Sequence, residues 1–157
     1  MAITKFPDYA PAWQNLGELL EKLKGPGMLM STLDVMLRTN PNNPGVLNSA
    51  CWIRATHGQQ LDAAIADCNA ALQLAPDDPD ALDSRAFAYF RKGNFPSAIA
   101  DANSALAKDP KLATSLYVRG LAKHKMGDLA GGDADIAAAR SISPKISDTY
   151  AAYGISQ

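Results

Sequence analysis

Four prolines, Pro41, Pro76, Pro110 and Pro144, recur at intervals of 35, 34 and 34 residues, each closing an alanine-rich, helix-favouring stretch. A fixed period of this length marks a stack of helical hairpins, in which no hairpin buries its apolar face alone and its neighbours supply the rest. Arrays of this kind present an extended concave surface to a partner and rarely carry chemistry. Aligned on the prolines, the chain divides into units 10–43, 44–78, 79–112 and 113–146 of one solenoid domain spanning 1–157.

Composition narrows the function classes. At 157 residues, 47% hydrophobic and 20% charged with a formal net charge of −1, the chain is built as a soluble protein and lacks the basic footprint of a nucleic-acid binder. No apolar run approaches the ~20 residues that span a bilayer, so no membrane partner is expected. The start, Met1 to Asp8, shows no apolar leader core and no small-residue cleavage pattern. That start predicts a cytoplasmic location, or a periplasmic one if a leader has been removed. Cys51 and Cys68 form no C-x-x-C and no cluster with His at metal-ligand spacing, so both are expected to fill core positions. No cofactor is implied.

The register of each unit repeats in detail. The first reads Trp13-Gln14-Asn15-Leu16-Gly17-Glu18-Leu19-Leu20, following W-x-x-L-G-x-x-Y with Leu in the last place. Position 8 is small throughout (Gly17, Cys51, Ala86, Gly120). Position 20 is Leu29, Ala64, Ala98 and Gly132, and position 27 is Met36, Ala71, Ala105 and Ala139. A small residue at position 8 lets the two helices of a hairpin approach where a larger one would overpack. Gly58, Gly93 and Gly127 stand where the first helix of a hairpin must end, and Asp78 before Pro79 suits a helix N-cap.

On these residues the chain resembles the tetratricopeptide repeat (TPR) family, bacterial members of unassigned role in particular, over residues 10 to 146. The resemblance implies an all-α, right-handed superhelix of four TPR hairpins, each a helix A and a helix B, plus a C-terminal capping helix over 147–155. There Tyr150, Tyr153 and Gly154 fall at positions 4, 7 and 8 of a fifth helix A. The alternative is an array that continues past the last residue. Two departures stand out. Unit 1 carries Gly25-Pro26-Gly27 between its helices, with Leu29 and Met36 where alanines are usual, which predicts a less regular hairpin. Unit 2 holds one extra residue between Gly58 and Ala64, expected to be absorbed in the turn.

The resemblance also assigns roles. Arg85 and Arg119 occupy position 7, and Asp67, Asp101 and Asp135 occupy position 23. Helix A packs on the preceding helix B in this architecture, so the expected pairs are Arg85 with Asp67 and Arg119 with Asp101, registering one repeat on the next. Ligands of the family lie against helix A. That places Trp52, Phe87, Phe90, Tyr117 and Leu121 in an apolar, aromatic stripe with Arg91 and His124 on its rim, the expected groove for a peptide or helix. The same side chains would also serve as core. A carboxylate clamp is not expected, because its basic and amide positions hold Gln14, Glu18, Ser49, Asp80 and Ser84. In the family's packing Cys51 and Cys68 face each other across one hairpin, close enough to be joined in an oxidising compartment.

No enzyme is expected. His57 and His124 have no local catalytic partner, and Gly25-Pro26-Gly27 lacks the Gly-Lys-Ser/Thr of a phosphate loop. The expected function is a protein-interaction adaptor or scaffold. The alternatives are a self-associating module and a regulatory part of a larger system. A 35-residue RNA-reading array fits the neutral charge and the 34-residue spacing poorly.

Overall fold

The computed structural model describes residues 10–25 and 27–157, with side chains from residue 15 onward. Trp13, Gln14, the packing around Gly17, Pro26 and the first nine residues lie outside what it describes. Among the described residues the chain is all-α. The helices are α1 (Ala10–Lys24), α2 (Met28–Thr39), α3 (Pro44–His57), α4 (Leu61–Leu74), α5 (Pro79–Arg91), α6 (Phe95–Lys108), α7 (Ala113–Lys125), α8 (Leu129–Ile142) and α9 (Ile146–Ala152). No helix among them is long and apolar enough to cross a membrane.

Local chemistry sets the helix ends. Asn43, Asn94 and Asp128 accept hydrogen bonds from the amides of Val46, Ser97 and Gly131 at 3.2, 3.3 and 2.9 Å, satisfying donors that have no partner inside the helix. Asp78 caps α5 as its sequence position suggests, accepting from Asp80 N at 3.2 Å with Pro79 in the first turn. Gly58 closes α3 at φ 62°, a left-handed conformation that costs glycine nothing. The extra residue of the second unit is taken up next to it. Among the described residues Gln60 is the non-glycine residue with positive φ (50°), and its side chain accepts from Arg54 Nε at 3.0 Å.

The helices pack in sequence as antiparallel hairpins, α1·α2, α3·α4, α5·α6 and α7·α8, and each second helix then packs on the first helix of the next pair. The odd-numbered helices also touch one another along the array, α1 to α3, α3 to α5 and α5 to α7. They therefore form the inner, concave layer, with α4, α6 and α8 outside. Close approach within a hairpin explains the small residues at position 8. A Cβ on Gly120 would lie 2.8 Å from both Gly132 O and Ile136 Cγ1. In the second hairpin the same contact is covalent. Cys51 and Cys68 form a disulfide with Cα atoms 5.5 Å apart, in place of the two free core thiols that their spacing first suggested.

The main core runs from Cys51 through Phe87, Val118 and Ile136 to Tyr150. A separate cluster joins Leu29, Met30, Leu33 and Met36 of α2 to Val46, Ala50 and Ile53 of α3. None of the described side chains of α1 is buried, and Leu19 and Leu23 are exposed, so the first hairpin is the irregular one that its sequence predicts.

The arginine–aspartate pairs form within hairpins, not between them. Arg85 binds Asp101 through Nε and Nη2 at 2.6 and 2.7 Å, and Arg119 binds Asp135 in the same way at 2.8 and 2.6 Å. The partners expected from sequence, Asp67 for Arg85 and Asp101 for Arg119, belong to the wrong hairpin. The reason is geometric: positions 7 and 23 meet across their own helix pair, where a planar guanidinium can take a carboxylate with two parallel bonds. The contact between repeats is made by the third nitrogen. Arg85 Nη1 donates to Asn69 Oδ1 and Arg119 Nη1 to Asn103 Oδ1, each at 2.8 Å. Asp67 is held by Arg54 of its own hairpin, and Arg54 reaches back to Asp34 of α2 at 2.8 Å.

Candidate functional site

Helices α3, α5 and α7 each send one aromatic side chain to the concave layer: Trp52, Phe87 and Tyr117. Trp52 and Phe87 stand 5.6 Å apart between ring centroids. The short helix α9 lies against α7 and α8 and supplies two more rings. Tyr150 packs on Tyr117 at 4.9 Å and on Phe87 at 5.1 Å. Tyr153 meets Phe87 at 6.2 Å and Trp52 edge-on at 6.1 Å. The five rings form one continuous cluster across three repeats and the tail.

This cluster closes much of the stripe that the sequence predicts. Phe87, Tyr117 and Leu121 are buried, at 0%, 1% and 2% exposure, while Trp52 is only partly covered. Phe90 points elsewhere, to Phe95 at the start of α6, 5.6 Å away. His124 turns to its own hairpin, with Nε2 2.9 Å from Asp133 Oδ1. Arg91 is brought to the cluster. Its guanidinium carbon sits 5.5 Å from the Phe87 ring centroid. Nε donates to Ala55 O at 2.9 Å and Nη2 to Thr56 O at 2.6 Å, and Nη2 also donates to the carbonyl of Tyr153. Arg91 thus ties the end of α3 to the end of the tail.

Beside Trp52 the concave layer opens into a recess of about 240 Å³, lined by Asn48, Ser49, Asp80, Asp83, Ser84, Leu112 and Thr114. Asp83 is its buried acid. Ser115 Oγ donates to Asp83 Oδ1 at 2.5 Å and Thr114 Oγ1 to Oδ2 at 2.7 Å, joining α5 to α7. Burial pushes this carboxyl up to about 6, the two hydroxyl bonds pull it partly back, and Asp80 raises it further. The Asn48 Oδ1 atom and the Tyr150 hydroxyl are buried without a hydrogen-bond partner among the described residues. A second recess of about 470 Å³ separates Glu18, Thr56 and His57 from Ala152, Tyr153 and Gly154 of the tail.

Of the residues expected in the groove, Trp52, Phe87, Tyr117, Leu121 and Arg91 lie at or beside this ring cluster, whereas Phe90 and His124 turn away from it. Sequence position did not reveal that Tyr150 and Tyr153 would fill the concave layer. In the repeat register Tyr150 and Tyr153 fall at positions 4 and 7, and position 7 faces the second helix of its own hairpin in the earlier units, so the register points them away from this layer. Nothing in the sequence marks Asp83 as buried, because a lone carboxylate reads as surface.

No protein-family profile matches the chain, and no curated protein matches it. Solved structures do. TTC0263, described as a thermophilic TPR protein in Thermus thermophilus, superposes with a TM-score of 0.71 at 18% identity, over 92% of this chain and 80% of that one. PilW, described as a widely conserved type IV pilus biogenesis factor, gives 0.71 at 19% identity, over 94% and 69%. MamA gives 0.64 at 16% identity, over 92% and 84%. At these identities the likeness is one of fold, and the fold is that of TPR proteins.

Proposed function

We propose that this chain is a protein-interaction module that docks a peptide or short helix of a partner on its concave layer, across α3, α5 and α7. A TPR fold supports protein partners in general. The observation that carries the finer reading is that a helical segment already lies on this layer, its aromatic side chains interleaved with Trp52, Phe87 and Tyr117. Contiguous aromatic anchors beside a polar recess are the usual makeup of a protein-binding surface. Photo-cross-linking in the native cell tests the face. A cross-linking side chain at exposed Asp80 in the recess is compared with one at exposed Ala107 on α6. Protein capture from Asp80 alone is expected; equal capture, or capture only from Ala107, overturns the docking face.

The Cys51–Cys68 disulfide supports an oxidising compartment over the cytoplasm, since such bonds persist where thiols are not kept reduced. Thiol titration of the denatured protein, isolated from its native cell under alkylating quench, should find none; two thiols would return it to a reducing compartment.

A further inference from the structure

The helix on the concave layer does more than cap the array. A cap has only to cover the last hairpin, and the α9 backbone does this by packing on α7 and α8. Its tyrosines go further. Tyr150 reaches Phe87 of α5, and Tyr153 reaches Trp52 of α3, two repeats beyond the hairpin being capped. The far end is held by Arg91, which reads a backbone carbonyl, a group that every helix terminus offers.

The same segment is held by its contacts and not by its own helical stability. At seven residues, α9 is far shorter than a helix that stands alone in water, so it depends on Ile146 and Tyr150 in the core, on the Arg140 Nε to Ser147 Oγ bond at 2.9 Å and on Arg91 at its far end. Its outer side, Asp148, Thr149, Ala151 and Ala152, is exposed. Among the described residues the fully buried Tyr150 hydroxyl has no hydrogen-bond partner, a fit that a committed core position would have improved. Around Tyr153 the tail lines a recess against Thr56 and His57 at the end of α3, while Ile155 packs on the main core.

We propose that residues 146–155 are an internal ligand of the concave groove. Its external partner is a protein segment of the same chemistry: a short helix with two aromatic side chains three residues apart, ending in free carbonyls beneath Arg91, that binds by displacing the tail. This rests on the docking face proposed above and adds the occupant and its competitor. An occupied groove lowers the apparent affinity for an outside ligand by the fraction of chains whose tail is released.

The test uses the full chain. A fluorescent peptide of residues 145–157 is titrated into wild type and into the Tyr150→Ala/Tyr153→Ala variant. The variant should bind at least about tenfold more tightly than wild type, and adding Arg91→Ala to it should weaken binding again. A peptide with both tyrosines replaced by alanine should not bind. A folded variant that fails to bind, or binds no better than wild type, overturns the inference. Hydrogen exchange on the unaltered protein keeps the test independent of whether the variant folds. Amides of 146–155 should exchange about a hundredfold faster than those of α5 and α7; equal protection makes the tail fixed core and overturns the proposal. A mass that doubles with concentration while the tail stays protected would seat the tail in a second copy and overturn the internal arrangement. Cross-linking from Asp80 with no peptide binding would fail this inference alone; loss of the Asp80 preference would fail the docking face itself.

Discussion

Asp83 and Asp135 are both 7% exposed, yet the fold treats their charges in opposite ways. Burial works upward on Asp135, but Arg119 and Lys123 outweigh it and hold the carboxyl below its ordinary value. Asp83 has only Ser115 and Thr114 to answer it, so burial wins and the group titrates near 6. Because its folded pKa lies above the unfolded 3.8, the folded chain binds this proton more tightly. Folding is therefore unpenalised below about pH 4, loses stability as pH rises from 4 to 6, and carries the full cost above it. The shift corresponds to about 3 kcal/mol. Asp83→Asn removes the charge while keeping atoms able to bond both hydroxyls. Melting should show the variant more stable than wild type by about 1–2 kcal/mol at pH 7.5, with the gain gone at pH 4. A difference that does not change with pH would refute this account.

At the scale of elements, each position-7 arginine serves two contacts at once. It binds the aspartate of its own hairpin with two nitrogens and spends a third on an asparagine of the preceding one. The periodicity made the charged positions legible, since they recur with the repeat, but not their pairing. A 34-residue period fixes which residues are equivalent, and leaves open which of two flanking helices each one faces. The same limit left the disulfide conditional on compartment: Cys51 and Cys68 face each other at close-approach positions, and spacing alone does not separate two packed thiols from a bond. The corrected pairing is open to measurement by double-mutant cycles. Arg119 and Asp135 should couple by about 1 kcal/mol or more. Arg119 and Asp101 should couple by less than about 0.5 kcal/mol, the ordinary scatter of independent sites. Coupling to Asp101 as strong as to Asp135 would restore the registration between repeats that the sequence suggested.

Over the whole molecule, the fold was legible because a repeat states its architecture several times, whereas the site depends on something that occurs once. The tail that follows α8 occurs once, so nothing in the units before it shows that its tyrosines reach back to Trp52. Near-neighbour stacking also means that stability need not be shared evenly along the array. The main core ties α3 to α9 through one connected cluster, but α2 is joined to α3 through a smaller separate one, and α1 leaves Leu19 and Leu23 52% and 71% exposed. Arg54 is the polar tie across that boundary, through Asp34, which is itself half exposed. The first hairpin should therefore open on its own. In native-state hydrogen exchange, amides of α2 should exchange through an opening that costs at least about 2 kcal/mol less than that of α5 and α7, and Arg54→Lys should widen the gap by losing the bridge to Asp34. If α2 and α5 share one opening free energy, and Arg54→Lys lowers both equally, the first hairpin is part of a single cooperative unit, and the cluster between Leu29 and Ile53 couples it to the rest more tightly than its contacts suggest.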